Sequence, residues 1–217
     1  MPGLVPVRTI LSCQAGTVKY RRNKPSDFVT LEPTEGIHQH RSRLLEGMAQ
    51  AVADKGYADT TIADIVREAS VSRRTFYEHF ATKADCLIAL YAAASRNALK
   101  VLREAVDPGK DWELQVEHAL RAYLDGMASN PVLMRTLFIE ILHLGDAGLA
   151  ARRRVNQEIA DYMLGVVGRD RVTPELAMAV VGGINELVLQ AIEDGRVERL
   201  GELTPTASAL VKAVVHR

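Results

Sequence analysis

The sequence predicts an all-α protein of about nine helices. Apolar residues recur with the 3.6-residue spacing of amphipathic helices from Ile37 onward. No stretch of the chain alternates apolar and polar residues as a half-buried strand would. Aromatic residues make up only 5% of the 217 residues, and the remaining apolar side chains are mostly Ala, Leu and Val. This composition favours helices packed on helices, in a chain long enough for two small domains.

The first 36 residues differ from the rest of the chain. They contain four prolines and no helical period, so we predict that residues 1–36 form a disordered tail. An alternative interpretation is a basic arm that adds phosphate contacts beside a nucleic-acid site. Its basic residues are Lys19, Arg21, Arg22 and Lys24.

Capping residues mark the helices of the next segment. The first helix begins near Ile37 and ends at Gly56. A short second helix starts after Thr61 and ends at Ser70-Val71-Ser72, and a third continues to Phe80 before a long fourth helix. The predicted N-caps are Thr61 with Asp64, Ser72, and Thr82 with Asp85.

Five more helices are predicted after the turn at residues 107–109. Proline placed just after a capping residue predicts the starts of three of them. The predicted starts and spans are Trp112 for the fifth, Asn130-Pro131 for the sixth, 148–167 for the seventh, Thr173-Pro174 up to Gly195 for the eighth, and Thr204-Pro205 for the ninth.

The second and third helices predict a DNA-binding function. Two short helices joined by a tight turn, with positive charge on the second, are the layout of a helix-turn-helix. The third helix is predicted to bury Phe76 and Phe80. Its outward side chains, of which the arginines are best able to read base edges in the major groove, are Arg73, Arg74, Thr75, Tyr77 and His79.

The same segment resembles the TetR family of regulators over about residues 37–90. The rest of the chain matches that family only in helix number and length. One departure is Ser70, where the family commonly has glycine; if the turn needs a positive φ, serine costs on the order of 1 kcal/mol. The resemblance rests on Thr61, Ile65-Val66, Ala69-Ser70-Val71-Ser72, Tyr77-Glu78-His79-Phe80 and Lys83.

The resemblance implies a role for each residue of the motif. Backbone phosphates would be held by Thr61, Tyr77, His79 and Lys83, and base edges would be read by Arg73, Arg74 and Thr75, with Ser72 at the start of the reading helix. It also implies a larger helical domain that dimerises and encloses a ligand.

Charge and cysteine content agree with this division into domains. Residues 1–83 carry 12 Lys and Arg against 9 Asp and Glu, whereas residues 84–217 carry 15 against 18. We predict a helix-turn-helix domain at 37–83 and a ligand-binding and dimerisation domain at 84–217. Two cysteines, Cys13 and Cys86, do not form a disulfide framework, which favours the cytoplasm.

A homodimer is predicted through the eighth and ninth helices. The eighth helix is apolar over more than one face, and Gly182-Gly183 would let two backbones approach closely. The alternative interpretation is a helix buried within one chain. In a dimer, two recognition helices would meet major grooves one turn apart, which predicts a pseudo-palindromic operator.

A ligand pocket is predicted between the fifth, sixth and seventh helices. Its polar candidates include Arg135, Glu140 and Asn185, and an effector that is largely apolar is expected. Each of these residues could instead be core or surface. The predicted ligand contacts are Trp112, Tyr123, Met127, Met134, Phe138, His143, Tyr162 and Met163.

The predicted function is a ligand-responsive transcription regulator, a repressor that its effector releases from double-stranded DNA. No catalytic residue, cofactor, metal or membrane contact is predicted, because the chain lacks phosphate-binding, zinc and nucleophile motifs. A metal enzyme built on Glu140 and His143 is the rival from another class. The alternatives within the fold are an activator and a protein-interaction module without ligand-released repression. A nonspecific nucleoid binder would need more Lys and Arg.

Overall fold

The computed structural model describes residues 33–106, 109 and 111–215. Within these residues there are nine α-helices, two 3-10 helices and no strand, so the all-α prediction is confirmed. The helices are α1 (Pro33–Asp59), α2 (Ile62–Ala69), α3 (Arg73–His79), α4 (Lys83–Glu104), α5 (Trp112–Ala128), α6 (Pro131–Phe138), α7 (Asp146–Val167), α8 (Pro174–Glu193) and α9 (Thr204–Val215), with 3-10 helices at Glu140–Leu144 and Val197–Leu203.

The first helix begins earlier than predicted. Pro33 to Gly36 form its first turn, whereas the sequence predicted a start at Ile37. The prediction for the tail otherwise concerns residues 1–32, which lie outside the described residues. At the other end Gly56 has φ 78°, so the regular helix stops there as predicted.

Five predicted N-caps accept a backbone hydrogen bond from their helix: Thr61, Ser72, Thr82, Asn130 and Thr173. Thr204 does not, because it is the first residue of α9 and its hydroxyl donates to the Gly201 carbonyl. The Asp64 N–H donates to the Thr61 hydroxyl over 3.3 Å, and the Thr61 N–H donates to the Asp64 carboxylate over 2.9 Å. The pair Thr82 and Asp85 repeats this arrangement. Such caps contribute typically about 1 kcal/mol each, and they fix where α2 and α4 begin.

We call α1, α2, α3 and the first turns of α4 the head. Its core is formed by fully buried side chains, and α1 lies so close to α2 that Gly47 faces the backbone of Ile65 and Ala69. Cys86 is also buried there, with its thiol 3.8 Å from the Leu44 carbonyl. Burial raises the pKa of this thiol to about 12. The fully buried side chains of the head include Leu44, Met48, Ile65, Phe76 and Leu87.

We call the remainder, from the middle of α4 to α9, the body. Its core lies between α5, α7, α8 and α9, with Leu124, Leu164 and Leu200 fully buried. Helix α8 is the one described helix that is long and apolar enough to cross a membrane by length and composition. It packs here against α6, α7 and α9, but only 44% of its most apolar window is buried. The chain therefore leaves apolar surface of α8 uncovered.

Candidate nucleic-acid interface and ligand cavities

Helix α3 presents a polar outer face on a buried base. Phe76 is fully buried, while the neighbouring Tyr77 is 59% exposed. Arg74 is paired with Glu78, one turn along the helix, at 3.1 Å. Arg73 is exposed and forms no ion pair with another described residue. Of the two arginines predicted to read bases, Arg73 is therefore the one whose guanidinium is available to contact DNA without first breaking an ion pair.

Ser72 and Thr75 stabilise the start of α3. The Thr75 N–H donates to the Ser72 hydroxyl over 3.0 Å, and the two hydroxyl oxygens lie 2.9 Å apart. Ser72 is exposed and Thr75 is half-buried. Ser72 therefore caps the helix, and the hydroxyl of Thr75 is held beside the Ser72 hydroxyl at the beginning of α3.

The turn between α2 and α3 has a positive φ at Ser70, the position where the tetR family commonly has glycine. Ser70 has φ 51° and ψ 47°, and it is the one non-glycine residue with positive φ in the described part of the chain. Its N–H bonds to the Arg67 carbonyl, and the Val71 N–H bonds to the Val66 carbonyl over 3.0 Å. These are the hydrogen bonds of a Schellman motif. The positive φ confirms that serine occupies a position suited to glycine.

The hydroxyl of Thr61 is committed to its capping box. It lies 2.6 Å from the Asp64 carboxylate, which also receives Lys55 at 2.7 Å and Arg67 at 3.1 Å. These bonds hold the pKa of Asp64 well below its usual range, chiefly through Lys55 and then Thr61. Thr61 itself remains exposed, at the helix end where the resemblance places a phosphate.

His79 lies half-buried between α3 and α1. Its ring centroid is 6.5 Å from that of His40 and 6.4 Å from that of Phe80. Arg41 lies over the Phe80 ring at 4.6 Å. Burial first, and then the neighbouring His40 and Arg41, lower the pKa of His79. The neutral ring is therefore favoured in the folded protein.

Lys83 has a structural role that sequence reasoning missed. Its ammonium donates to the carbonyls of Tyr57 and Thr60 over 2.8 and 2.7 Å, with that of Ala58 at 3.4 Å. It also lies 4.2 Å from the centre of the Tyr57 ring. A cation is favourable at the carbonyl end of a helix, so Lys83 ties the end of α1 to the start of α4. A phosphate contact would have to replace one of these bonds.

A first cavity of about 200 Å³ lies in the body between α4, α5, α6 and α7. Four predicted ligand contacts line it: Tyr123, Met127, Met134 and Phe138. Asn185 of α8 also lines it and donates to Asn156 of α7 over 3.0 Å.

Tyr91 of α4 and Arg152 of α7 are among the lining residues of the first cavity that were not predicted as ligand contacts. Burial raises the pKa of Tyr91 and that of Tyr123 to about 12, so both phenols are neutral at physiological pH.

A second cavity of about 160 Å³ lies between α4, α5, α7, α8 and α9. The other aromatic and methionine candidates, Trp112, Tyr162 and Met163, line this cavity and not the first. Ile159 of α7 lines both cavities. The single pocket predicted from the sequence is therefore two adjoining spaces.

Glu140 and His143 lie away from both cavities. The Glu140 carboxylate accepts from the Tyr57 N–H over 2.9 Å and lies 3.1 Å from His143 Nδ1. No group of three or more His, Cys, Asp or Glu side chains that could hold a metal occurs in the described ranges. His143, predicted as a ligand contact, instead belongs to a polar link between head and body, and Arg135 is exposed.

A helix-turn-helix head joined to an all-helical body that contains two cavities is an architecture suited to DNA-binding proteins. Residues 44–90 match the family model of bacterial regulatory proteins, tetR family. This segment covers α2, α3 and the adjoining parts of α1 and α4. The head of the chain is therefore similar to the DNA-binding segment of the tetR family.

Two curated relatives match part of the chain. YxbF of Bacillus subtilis, an HTH-type transcriptional regulator, is 29% identical over 94 residues, which are 43% of this chain and 25% of YxbF. FasR of Mycolicibacterium smegmatis, an HTH-type transcriptional activator, is 24% identical over 133 residues, which are 61% of this chain and 60% of FasR. The chain thus spans a quarter to three-fifths of the length of these relatives.

A solved structure extends the likeness to the body. The transcriptional regulator FadR from Bacillus subtilis, determined in complex with stearoyl-CoA, superposes with a TM-score of 0.69. The sequences are 16% identical, and the likeness covers 78% of this chain and 96% of FadR. At this identity the comparison concerns the fold alone, and it shows that head and body together have the same fold as this regulator.

Proposed function

We propose that this protein is a ligand-responsive transcription regulator that binds double-stranded operator DNA as a homodimer. The observation that carries the proposal is the outer face of α3. Arg73 and Tyr77 are exposed on a helix that Ser72 caps and Phe76 anchors, inside the segment that matches the family model. Arginine is the side chain that most often reads guanine in the major groove, and Tyr77 lies beside it for a phosphate.

The dimer is proposed through α8 and α9. Small side chains on the outer sides of these helices are exposed, and a Cβ placed on Gly182 would meet nothing within 4 Å. A flat face of small residues lets two helices from another copy approach closely. The exposed small residues are Ala179, Gly182, Ala209 and Ala213. Two recognition helices about 34–36 Å apart would then read a pseudo-palindromic operator.

The effector is proposed to bind inside the body and to change the affinity for DNA. A ligand that prefers one arrangement of the two heads shifts the population towards it, and the operator affinity changes accordingly. The stearoyl-CoA in the structure of the Bacillus subtilis neighbour supports an effector with a long apolar chain. Release of a repressor is the main proposal, in the cytoplasm where the chromosome lies.

Activation is the second candidate function. It is favoured by one observation, the likeness to FasR, which is described as a transcriptional activator. Both candidates need the same DNA contacts, so the first experiment tests those contacts and a reporter fused to the bound promoter then distinguishes the sign of regulation.

The test is binding to the DNA upstream of the protein's own gene, compared with a scrambled duplex, at two salt concentrations. Loss of the base contact in Arg73→Ala should cost about 1–3 kcal/mol of binding to the specific duplex. Loss of a phosphate contact in Tyr77→Ala should weaken binding to both duplexes alike. Arg153→Ala is the matched control, because Arg153 is an exposed arginine on α7.

Specific binding that Arg153→Ala keeps and Arg73→Ala loses would support the regulator. Equal, weak binding of the wild type to both duplexes would contradict binding at its own promoter. A genome-wide selection of bound fragments with the same purified protein would then find either a distant operator or none, and the latter outcome would favour a protein-interaction module.

A further inference from the structure

The charged residues of the two cavities are of one sign. No Asp or Glu lines either cavity, and the charged residues that do are Arg152 in the first and Arg171 in the second. Arg152 is half-buried and forms no ion pair with a described residue. A cation held among apolar side chains without a counter-charge costs free energy. An anionic group on a ligand would supply that counter-charge.

Polar groups that can hold an anion line the same cavity as Arg152. Asn156 lies one turn along α7, and Tyr91 and Asn185 line the same cavity. The raised pKa of Tyr91 keeps its phenol protonated, so it remains a hydrogen-bond donor. A carboxylate or a comparable anion can accept hydrogen bonds from an arginine, an amide and a phenol together. A cationic ligand would find no partner of opposite charge there.

One face of α7 runs along both cavities. Arg152, Val155 and Asn156 line the first, Ile159 lines both, and Met163 lines the second. From Arg152 to the last lining turn at residue 166 this face is about 21 Å long at 1.5 Å per residue. Asn185 and Ile184, adjacent on α8, likewise belong to the first and second cavities respectively.

Neither cavity alone reaches the size of an ordinary small-molecule site. Their volumes are about 200 and 160 Å³, whereas sites for drug-sized ligands are about 300–1,000 Å³. The combined volume of the two cavities, which share Ile159 in their linings, reaches that range. Both linings are mainly apolar, with the half-buried Arg152 in the first and the exposed Arg171 in the second.

We propose that both cavities hold one amphiphilic ligand, whose anionic group pairs with Arg152 and whose unbranched apolar tail passes Ile159 into the second cavity beside Trp112. This inference rests on the proposed function for the role of the ligand in regulation, but not for its binding. Ile159 is then the residue that sets the length of tail the body accepts.

The chain carries its own reporter for this arrangement. Trp112 is the single tryptophan of the sequence, and it lines the second cavity. A tail that enters the second cavity should change the tryptophan emission, whereas a ligand confined to the first should not. The full chain is titrated with palmitate, with octanoate, and with hexadecanol and hexadecyltrimethylammonium as uncharged and cationic controls, and calorimetry measures each affinity.

Palmitate should bind and shift the emission, and octanoate should bind more weakly without the shift. Hexadecanol and the cationic amphiphile should bind at least about tenfold more weakly than palmitate, since a hydrogen bond to a charged group is worth about 1.5–3 kcal/mol. Arg152→Gln should weaken the binding of palmitate by the same factor. Arg153→Gln is the matched control, because Arg153 is exposed on α7 and lines neither cavity, and it should leave palmitate affinity within about twofold.

Ile159→Phe should narrow the passage, so palmitate affinity falls about tenfold or more while octanoate affinity is retained. Equal losses for both acids would overturn the single-ligand arrangement. Tight palmitate binding that Arg152→Gln leaves unchanged would overturn the anion site. If Ile159→Phe does not fold, as judged by circular dichroism, Arg152→Gln and the emission shift decide, because Arg152 has no packing role in the core.

The same preparations are tested for DNA binding without ligand. Operator binding with no palmitate binding would overturn this inference and leave the proposed regulator intact. Palmitate binding with no operator binding would contradict the proposed function and leave the ligand class standing.

Discussion

At the scale of single residues, the positive φ of Ser70 should lower the free energy of unfolding by a measurable amount. Left-handed backbone costs a residue with a Cβ about 1–2 kcal/mol, whereas glycine adopts it freely but loses more entropy on folding. We expect Ser70→Gly to be more stable to urea than Ser70→Ala by about 1 kcal/mol. The wild type should lie between the two variants. Equal stability of the glycine and alanine variants would contradict a strained turn.

His79 gives the head a pH dependence whose direction follows from its surroundings. Its folded pKa is lowered from the ordinary 6.5, mainly by burial and then by His40 and Arg41, with Glu78 acting in the opposite direction. The unfolded chain therefore binds the proton more readily, and stability falls as the pH drops below about 6.5 through the folded pKa. Above that pH the ring is neutral in both states and contributes no slope.

The measurement is urea unfolding of wild type and His79→Gln across this range of pH. In the wild type, the free energy of unfolding should fall as the pH drops from neutral to the folded pKa of His79. In His79→Gln this dependence on pH should be weaker. His118→Gln, at an exposed position of α5, is the control and should leave the slope unchanged. An unchanged slope in His79→Gln would contradict the prediction.

At the scale of helices, the contact between α1 and α2 depends on Gly47. A Cβ at this position would lie 2.6 Å from the Ile65 carbonyl oxygen and 2.8 Å from the Ala69 nitrogen, which are backbone atoms that cannot easily move. We expect Gly47→Ala to lower stability by about 1–3 kcal/mol, the usual range for overpacking. Thermal unfolding followed by circular dichroism measures the change.

Gly165→Ala is the matched control for this prediction. Gly165 also lies within a helix, and a Cβ there would meet nothing within 4 Å. Replacing a helical glycine by alanine at such a position should raise stability by about 0.5–1 kcal/mol. Changes of the same sign at Gly47 and Gly165 would show that close packing does not decide the effect at Gly47.

The helices themselves were predictable because their signals are local. Thr61 with Asp64, Thr82 with Asp85, and Asn130 followed by Pro131 each act over three residues, and all three make their caps. The first cavity was predicted in part for the same reason, since Tyr123, Met127, Met134 and Phe138 share one region of sequence.

The remaining features depend on contacts between distant residues. Lys83 reaches carbonyls 23 to 26 residues away, and Glu140 reaches the Tyr57 N–H 83 residues away. Nothing in the local sequence distinguishes Lys83 or Glu140 from a lysine or glutamate on a solvated surface. The role of Arg152, and the division of the pocket at Ile159, follow only from how α7 lies against α4, α5 and α8.

At the scale of the whole molecule, Gly182 allows the proposed dimer to be tested without disturbing the protomer. A side chain there meets open space within one chain, so Gly182→Arg should fold normally. A charge placed in the proposed α8–α9 interface should leave a monomer in sedimentation at micromolar concentration. Operator affinity should fall towards the nonspecific level, a loss of at least about 10³-fold.

Gly165→Arg is the control for the dimer, since Gly165 offers the same open space on α7. It should keep both the dimer and the operator affinity. If the Gly182→Arg variant still sediments as a dimer, the dimer interface lies on another face of the body.

The buried thiol of Cys86 allows transient opening of the head to be measured by its rate of alkylation. Alkylating reagents attack the thiolate, which burial in the head suppresses by raising the pKa of Cys86 to about 12. In a Cys13→Ser variant, reaction at Cys86 therefore requires the contact with Leu44 to open, and its rate measures the free energy of that local unfolding. DNA that binds only the closed head would slow the reaction by mass action. Thiol protection thus offers a screen for ligands and promoters before any operator sequence is known.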